Sequence, residues 1–186
     1  MDSQPIFHDQ PPVSIAIEYI LEQHGWASLA ISLGNAQNRI GSFGYCTDAL
    51  GDLIRAAVAI AIGSPRAEVI FDGEPHLWGL TIQDGWQSTR HPQAFRFSIR
   101  SKSDVSGDDH LSPFAWPRVL VENFVAADAF AMAVSLAAHE VLNEHGEKGY
   151  FARWVQHRFP TRALVALDAA LATPPPIPTD GSPLSR

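Results

Sequence analysis

Three strand-like segments follow one another in the middle of the chain, and they limit the folds that the rest can adopt. They read AEVIFDG (67–73), PHLWGLTIQD (75–84) and QAFRFSIRSK (93–102). In the last segment Phe95, Phe97 and Ile99 alternate with polar residues. Such alternation is typical of an antiparallel sheet with one face on the core and the other in solvent. Long-range βαβ alternation is absent, which disfavours a doubly wound parallel sheet.

Helical patterns flank these strands. Apolar positions three and four residues apart predict a first helix from Val13 to His24, ended by Gly25. A second helix begins at Thr47 or Asp48, whose side-chain oxygen would cap it, and ends before a Gly-Ser-Pro sequence. The remaining predicted helices cover 128–145, 149–157 and 160–172.

Two more regions complete the pattern, namely a hairpin at 26–45 and a short strand at 118–124. The sequence therefore predicts an α+β fold with a single, mostly antiparallel sheet packed against helices. A chain of 186 residues suits one domain, which we expect to span 13–172. Residues 1–12 are expected to form a flexible arm, and the proline-rich residues 173–186 a disordered tail.

Charge and cysteine content restrict the function. Lys and Arg number 13 against 20 Asp and Glu, a net charge of −7. A nucleic-acid binder needs clustered basic residues, so we expect no nucleic-acid partner and, if there is a partner, a basic protein. The single cysteine, Cys46, excludes an internal disulfide and fits a reducing compartment. With neither a signal peptide nor a membrane span in the pattern, the prediction is a cytoplasmic protein without a membrane partner.

The histidines do not form a known metal motif. His139-Glu140 resembles the start of a zinc-protease His-Glu-x-x-His motif, but the position of the second histidine holds Asn143. The repeated Leu-x-x-His-Gly puts His24 and His145 before glycines, which is typical of helix ends. We predict no cofactor and no metal, although a site assembled by the fold from distant residues stays open.

The acids around the second helix have two interpretations. Asp48 and Asp52 lie one turn apart with Arg55 beside them, as paired acid/base carboxylates would, but the helix dipole alone favours acids in a first turn. Cys46 precedes the same helix, and these acids would oppose its thiolate, so we expect an inert, half-buried cysteine.

The five tryptophans divide into two groups. Trp26, Trp78 and Trp154 fall within predicted elements and are expected in the core. Trp86 follows an acidic loop position and Trp116 lies in another loop, where a tryptophan can anchor a protein interface.

Two longer motifs carry a resemblance. The chain contains TDALGDL (47–53) and GYFARWVQHRFP (149–160). With these it resembles a family of small, uncharacterised bacterial proteins that share a (S/T)DALGDL helix start and a GYxxxWVxHxFP segment. The resemblance covers about residues 26–171 and implies no catalytic residues. Small acidic proteins of this kind look like immunity proteins, which occupy the active site of a toxin.

The first hypothesis is therefore a non-enzymatic protein-binding protein, with an immunity protein that neutralises a bacterial toxin as its specific form. Its predicted binding face consists of Asp48, Asp52, Trp86, Asp108 and Asp109. The alternative is a small hydrolase, which would gather His139, Glu140 or His145 with His157 or Asp128 in one pocket. A third possibility is a subunit that completes an apolar face by forming a homo-oligomer.

Overall fold

The computed structural model describes residues 11–84, 94–103 and 118–173. Within these ranges seven strands and three helices follow one another, with four strands between the first helix and the second. The elements are β1 (Ile15–Leu21), β2 (Trp26–Leu33), β3 (Ala36–Gly44), α1 (Ala49–Ala61), β4 (Arg66–Asp72), β5 (His76–Asp84), β6 (Ala94–Ser103), β7 (Arg118–Ala126), α2 (Ala127–Trp154) and α3 (Thr161–Ala172). None of the described helices is long and apolar enough to cross a membrane.

The α+β class is confirmed, but the strands form two antiparallel sheets where one was expected. One sheet has the order β1-β2-β3 and the other the order β4-β5-β6-β7. Val13 forms an isolated bridge with Val125, Phe43 of β3 packs against Phe71 of β4, and Gly41 of β3 lies beside the ring of Trp78 of β5. The two sheets thus contact each other, although β3 and β4 do not belong to the same sheet. Hydrophobic alternation marks a strand but does not tell which neighbour it pairs with.

The predicted helix from Val13 to His24 is wrong, because this segment forms β1. Alternate side chains of β1, Ile17, Tyr19 and Leu21, are buried, while Glu18 between them is exposed. β1 pairs along its whole length with β2. The helical spacing of three aliphatic residues was therefore coincidental, and the β-branched and aromatic content of the segment favours a strand.

The other predicted helices are confirmed. Gly146 takes φ 63° inside α2, so the helical path is interrupted where the sequence predicted a helix end after His145. The part of α2 after Gly146 corresponds to the separate helix predicted from Gly149. Of the predicted terminal segments, the structure describes only residues 11, 12 and 173; the remainder of the arm and the tail lies outside the described residues.

Aromatic side chains hold the sheets and helices together. Tyr19 of β1 and Trp154 of α2 both pack edge-on against Phe43 of β3, at centroid distances of 5.8 and 6.3 Å. Phe43 in turn lies 4.8 Å from Phe71 of β4, which joins the first sheet to the second. All these rings are at most 5% exposed. Helix α1 packs against β4, α2 and α3, and α2 packs across β1, so the helices cover this aromatic cluster.

The start of α1 differs in detail from the prediction. Asp48 occupies the N-cap position, yet its side chain makes no capping hydrogen bond. Its carboxylate instead lies over Gly51 and accepts a hydrogen bond from Arg55 at 2.9 Å. A Cβ on Gly51 would be 2.6 Å from Cγ of Asp48, which explains why a glycine stands inside this helix.

We expect Gly51→Ala to lower the free energy of unfolding by about 1 kcal/mol, because displacing Asp48 costs more than the roughly 1 kcal/mol that alanine gains over glycine in a helix. The matched control is Gly149→Ala in α2, where the new Cβ would lie 3.4 Å from Cβ of His145, an ordinary contact. That variant should be up to about 1 kcal/mol more stable than the wild type. Urea denaturation measures both, and equal effects of the two substitutions would contradict the proposed role of Gly51.

Candidate functional site

Only two of the five residues predicted to form the binding face lie within the described part of the chain. Asp48 and Asp52 both bond Arg55, at 2.9 and 2.6 Å. Together with Arg55, the two carboxylates carry a net charge of −1. Their attraction for a basic partner is therefore weaker than that of two unpaired carboxylates. The other three predicted residues, Trp86, Asp108 and Asp109, lie outside the described residues, as does Trp116.

The histidines contact different elements. Nε2 of His139 lies 2.9 Å from Asp168 of α3, and Ser135 donates a hydrogen bond to the same carboxylate at 2.8 Å. A Ser-His-Asp nucleophile requires a bond between the hydroxyl and the imidazole, whereas here both groups bond the acid. His145 lies beside Glu144 at 3.6 Å, and His157 bonds the carbonyl of Tyr45 at 3.0 Å. These contacts do not favour the hydrolase alternative.

His24 does not end a helix, since it lies in the turn between β1 and β2. His24 takes φ 59°, and Gly25 after it takes φ 78°. Gly25 thus has the predicted left-handed backbone, but in a turn between two strands rather than at a helix end. The error for His24 follows directly from the error for β1. The interpretation of His145 as the last residue before a helix break is confirmed by the conformation of Gly146.

The tryptophans predicted in the core also differ from one another. Trp154 is fully buried and Trp78 is half-buried, but Trp26 is 37% exposed and the prediction for it is wrong. Trp26, the first residue of β2, pairs with Gly44, the last residue of β3, and a Cβ on this glycine would lie 3.7 Å from the indole. The ring therefore lies beside a glycine and remains partly exposed.

Three chain segments meet around Trp26. The N–H of Gly25 donates to the carbonyl of Arg153 at 2.7 Å, which joins the β1–β2 turn to the end of α2. The ring of Tyr45 lies so close to Gly25 that any Cβ there would collide with it. His157 bonds the carbonyl of Tyr45, so the β3–α1 connection is attached to the same end of α2. We call the surface formed by Trp26, Tyr45 and Val155 the aromatic face.

Two acids lie next to the aromatic face, because a carboxylate oxygen of each lies within 4.8 Å of the thiol of Cys46, the residue after Tyr45. The backbone carbonyl of Asp72 lies 3.8 Å from where a Cβ of Gly44 would be, next to the indole of Trp26. Glu74 follows in the β4–β5 turn, where its N–H donates to Oδ1 of Asp72 at 3.1 Å. Neither acid forms an ion pair with another described residue, in contrast to Asp48 and Asp52. We call Asp72 and Glu74 the carboxylate rim.

Backbone strain is concentrated at the same place. Within the described ranges, the non-glycine residues with positive φ are His24 (59°), Glu74 (27°) and Val155 (69°). The first precedes Gly25 and Trp26, the second belongs to the carboxylate rim, and the third belongs to the aromatic face. Positive φ costs about 1–3 kcal/mol per residue, most for a β-branched side chain such as valine, and such residues cluster at functional sites.

Cys46 lies next to the carboxylate rim and donates a hydrogen bond to Oε1 of Glu74 at 3.5 Å. Desolvation raises the pKa of its thiol first, and the hydrogen bond to Glu74 and the charges of Glu74 and Asp72 raise it further. The cysteine is exposed rather than half-buried, and the acids that oppose its thiolate belong to β4 and the following turn rather than to α1.

Sequence reasoning missed most of these residues, namely Trp26, Tyr45, Asp72, Glu74 and Val155. One signal was present in the glycines, because Gly25, Gly44 and Gly73 all stand where an aromatic ring lies against the backbone. The chain positions of these residues are too far apart for spacing alone to join them.

No protein-family model, curated protein or solved structure matches the chain. The resemblance based on TDALGDL and GYFARWVQHRFP therefore stays a prediction. In the structure His157 of the second segment bonds the carbonyl of Tyr45, two residues before the first segment, and helices α1 and α2, which contain most of the two segments, pack against each other.

We expect Cys46 to react with a disulfide reagent more slowly than free cysteine at about pH 8, because a raised pKa leaves less thiolate at a given pH. Replacing Asp72 and Glu74 by Asn and Gln removes two of the charges that raise it, so the double variant should react faster than the wild type. Asp52→Asn is the control and should leave the rate unchanged. The reaction rate is measured as a function of pH. If the rate of the wild type reaches half of its maximum at or below the pH found for free cysteine, the neighbouring acids do not raise the pKa of Cys46.

Proposed function

We propose that this chain is a non-enzymatic protein-binding protein that binds its partner through the aromatic face and the carboxylate rim. The proposal rests on one observation, namely that residues with a strained backbone and an exposed tryptophan occur in the same part of the molecule. Three residues with unfavourable backbone angles lie two residues before Trp26, in the carboxylate rim and in the aromatic face, and Trp26 itself is 37% exposed. Val155 keeps φ 69° with half of its surface in solvent, so the burial of its own side chain does not offset the cost of that backbone angle.

The composition of the face suits a protein interface. Tryptophan and tyrosine supply large contact areas at low conformational-entropy cost, and binding energy concentrates in such residues near the centre of an interface. Val155, 51% exposed, adds apolar area beside them. His157 and the Gly25–Arg153 hydrogen bond hold the segments in place before binding, so little ordering is required when the partner arrives.

The partner is expected to be basic. The carboxylate rim offers two acids that form no ion pair with another described residue, on a chain with net charge −7. Opposite charges at a rim increase the association rate, and the increase falls with salt. We therefore expect the carboxylate rim, rather than Asp48 and Asp52 at the start of α1, to attract the basic partner, since Arg55 already forms ion pairs with those two acids.

An immunity protein is the specific form of this function that we propose, with a bacterial toxin as the basic partner. Small size, acidity and a rigid face with an aromatic centre support it. The corresponding experiment is co-expression: the captured partner should arrest growth when expressed alone and be tolerated when this chain is co-expressed. If the captured partner is harmless when expressed alone, the chain is a protein-binding protein but not an immunity protein.

For the binding face itself, the partner is first captured with the wild-type chain from the native host and identified. Trp26→Ala should then weaken its binding by about 2 kcal/mol or more, roughly 30-fold in Kd, as expected for a central interface tryptophan. Leu136→Ala is the control, because Leu136 is 57% exposed on α2 and outside the face. That variant should bind within about twofold of the wild type.

For the rim, Asp72→Asn and Glu74→Gln should lower the association rate and its salt dependence while the dissociation rate changes little. Glu68→Gln is the matched control, since Glu68 is an exposed acid of β4 that already pairs with Arg66 at 3.1 Å. Two results would contradict the proposal: the absence of any protein partner, or an identified partner whose binding is unaffected by Trp26→Ala.

A further inference from the structure

Three potential metal ligands from separate parts of the chain converge at the carboxylate rim. Cys46 comes from the connection between β3 and α1, Asp72 from the end of β4, and Glu74 from the turn that follows. The thiol sulfur and one carboxylate oxygen from each acid all lie within 4.8 Å of one another. Among the described residues this is the one group of three such side chains that are close enough to share a single ion.

The convergence depends on close backbone packing rather than on chance positions of long side chains. Gly73 lies between the two acids and against the ring of Trp78, and a Cβ there would be 2.6 Å from the carbonyl of Ser42. The turn is thereby fixed against β3, and β3 leads through Gly44 directly to Cys46. Asp72 and Cys46 have short side chains, so the backbone largely determines where their donor atoms lie.

The donor set indicates the class of metal. A thiolate with two carboxylates combines one soft ligand and two hard ones, a mixture that suits zinc and its congeners better than magnesium or calcium, which prefer oxygen alone. Three protein ligands leave a fourth tetrahedral position for water or a partner's group. One thiolate and two carboxylates would carry a charge of −3 in a small volume, and a divalent ion would relieve their repulsion.

We propose that Cys46, Asp72 and Glu74 form a binding site for a divalent ion of the zinc type. Binding replaces the thiol proton, which now bonds Glu74, by the metal: the S–H bond breaks, an S–metal bond forms and the proton passes to the solvent. The site belongs to this chain alone, so it does not rest on the proposed protein-binding function.

The test uses the purified full-length chain, treated with chelator, with Zn²⁺ and Co²⁺ as probes. Native mass spectrometry and calorimetry should find one Zn²⁺ per chain. Co²⁺ should give the near-ultraviolet charge-transfer band that reports a thiolate ligand. Cys46→Ser should abolish the band and weaken Zn²⁺ binding at least about tenfold, and Asp72→Asn with Glu74→Gln should weaken it by a similar factor.

Asp52→Asn is the control for loss of a surface carboxylate and should bind Zn²⁺ as the wild type does. Circular dichroism verifies that each variant is folded, and Cys46→Ala serves as a second cysteine variant. The proposal is overturned if the wild type binds no Zn²⁺, or if Cys46→Ser keeps the wild-type affinity, which would locate the ion on histidines elsewhere. Trp26→Ala should retain metal binding, so failure of the metal site and failure of the protein-binding face are distinguishable.

Discussion

The packing of Trp154 is the interaction on which the rest of the structure depends. Its fully buried indole contacts Tyr19 of β1 at a centroid distance of 6.4 Å and Phe43 of β3 at 6.3 Å. Phe43 continues the contact to Phe71 of β4. Two sheets that share only one isolated bridge among the described residues are thus joined by aromatic packing. Burying a tryptophan contributes several kcal/mol, so this junction can offset unfavourable backbone angles nearby.

The aromatic face is a direct consequence of that junction. Trp154 draws the last turn of α2 against the first sheet, which brings the carbonyl of Arg153 to the N–H of Gly25. The chain must then leave the helix at once, and Val155 does so with positive φ. The tertiary packing determines the backbone of the face, and the face is therefore rigid before any partner binds. Rigidity of this kind lowers the entropic cost of association.

The sequence was sufficient for most elements and for the class of the fold, because helices α1 and α3 and strands β2, β4, β5 and β6 have clear apolar patterns or turn residues, whereas β3 and β7 have weaker ones. It failed for β1, where three aliphatic residues at helical spacing lie within a seven-residue strand whose buried side chains alternate. It also failed for Trp26, whose burial depends on Gly44 of the neighbouring strand. The face, the rim and the proposed metal ligands combine residues from positions 26 to 155, and only tertiary packing brings such distant residues together.

Hydrogen–deuterium exchange of the chain, free and bound to its captured partner, shows whether the segments around Trp154 form the binding face. We expect protection on binding at 22–26, 44–47, 72–76 and 153–157, with little change in α3 and in the part of α2 before Gly146. Protection confined to those helices, or to the exposed edge of β7, with the four segments unchanged would contradict this expectation.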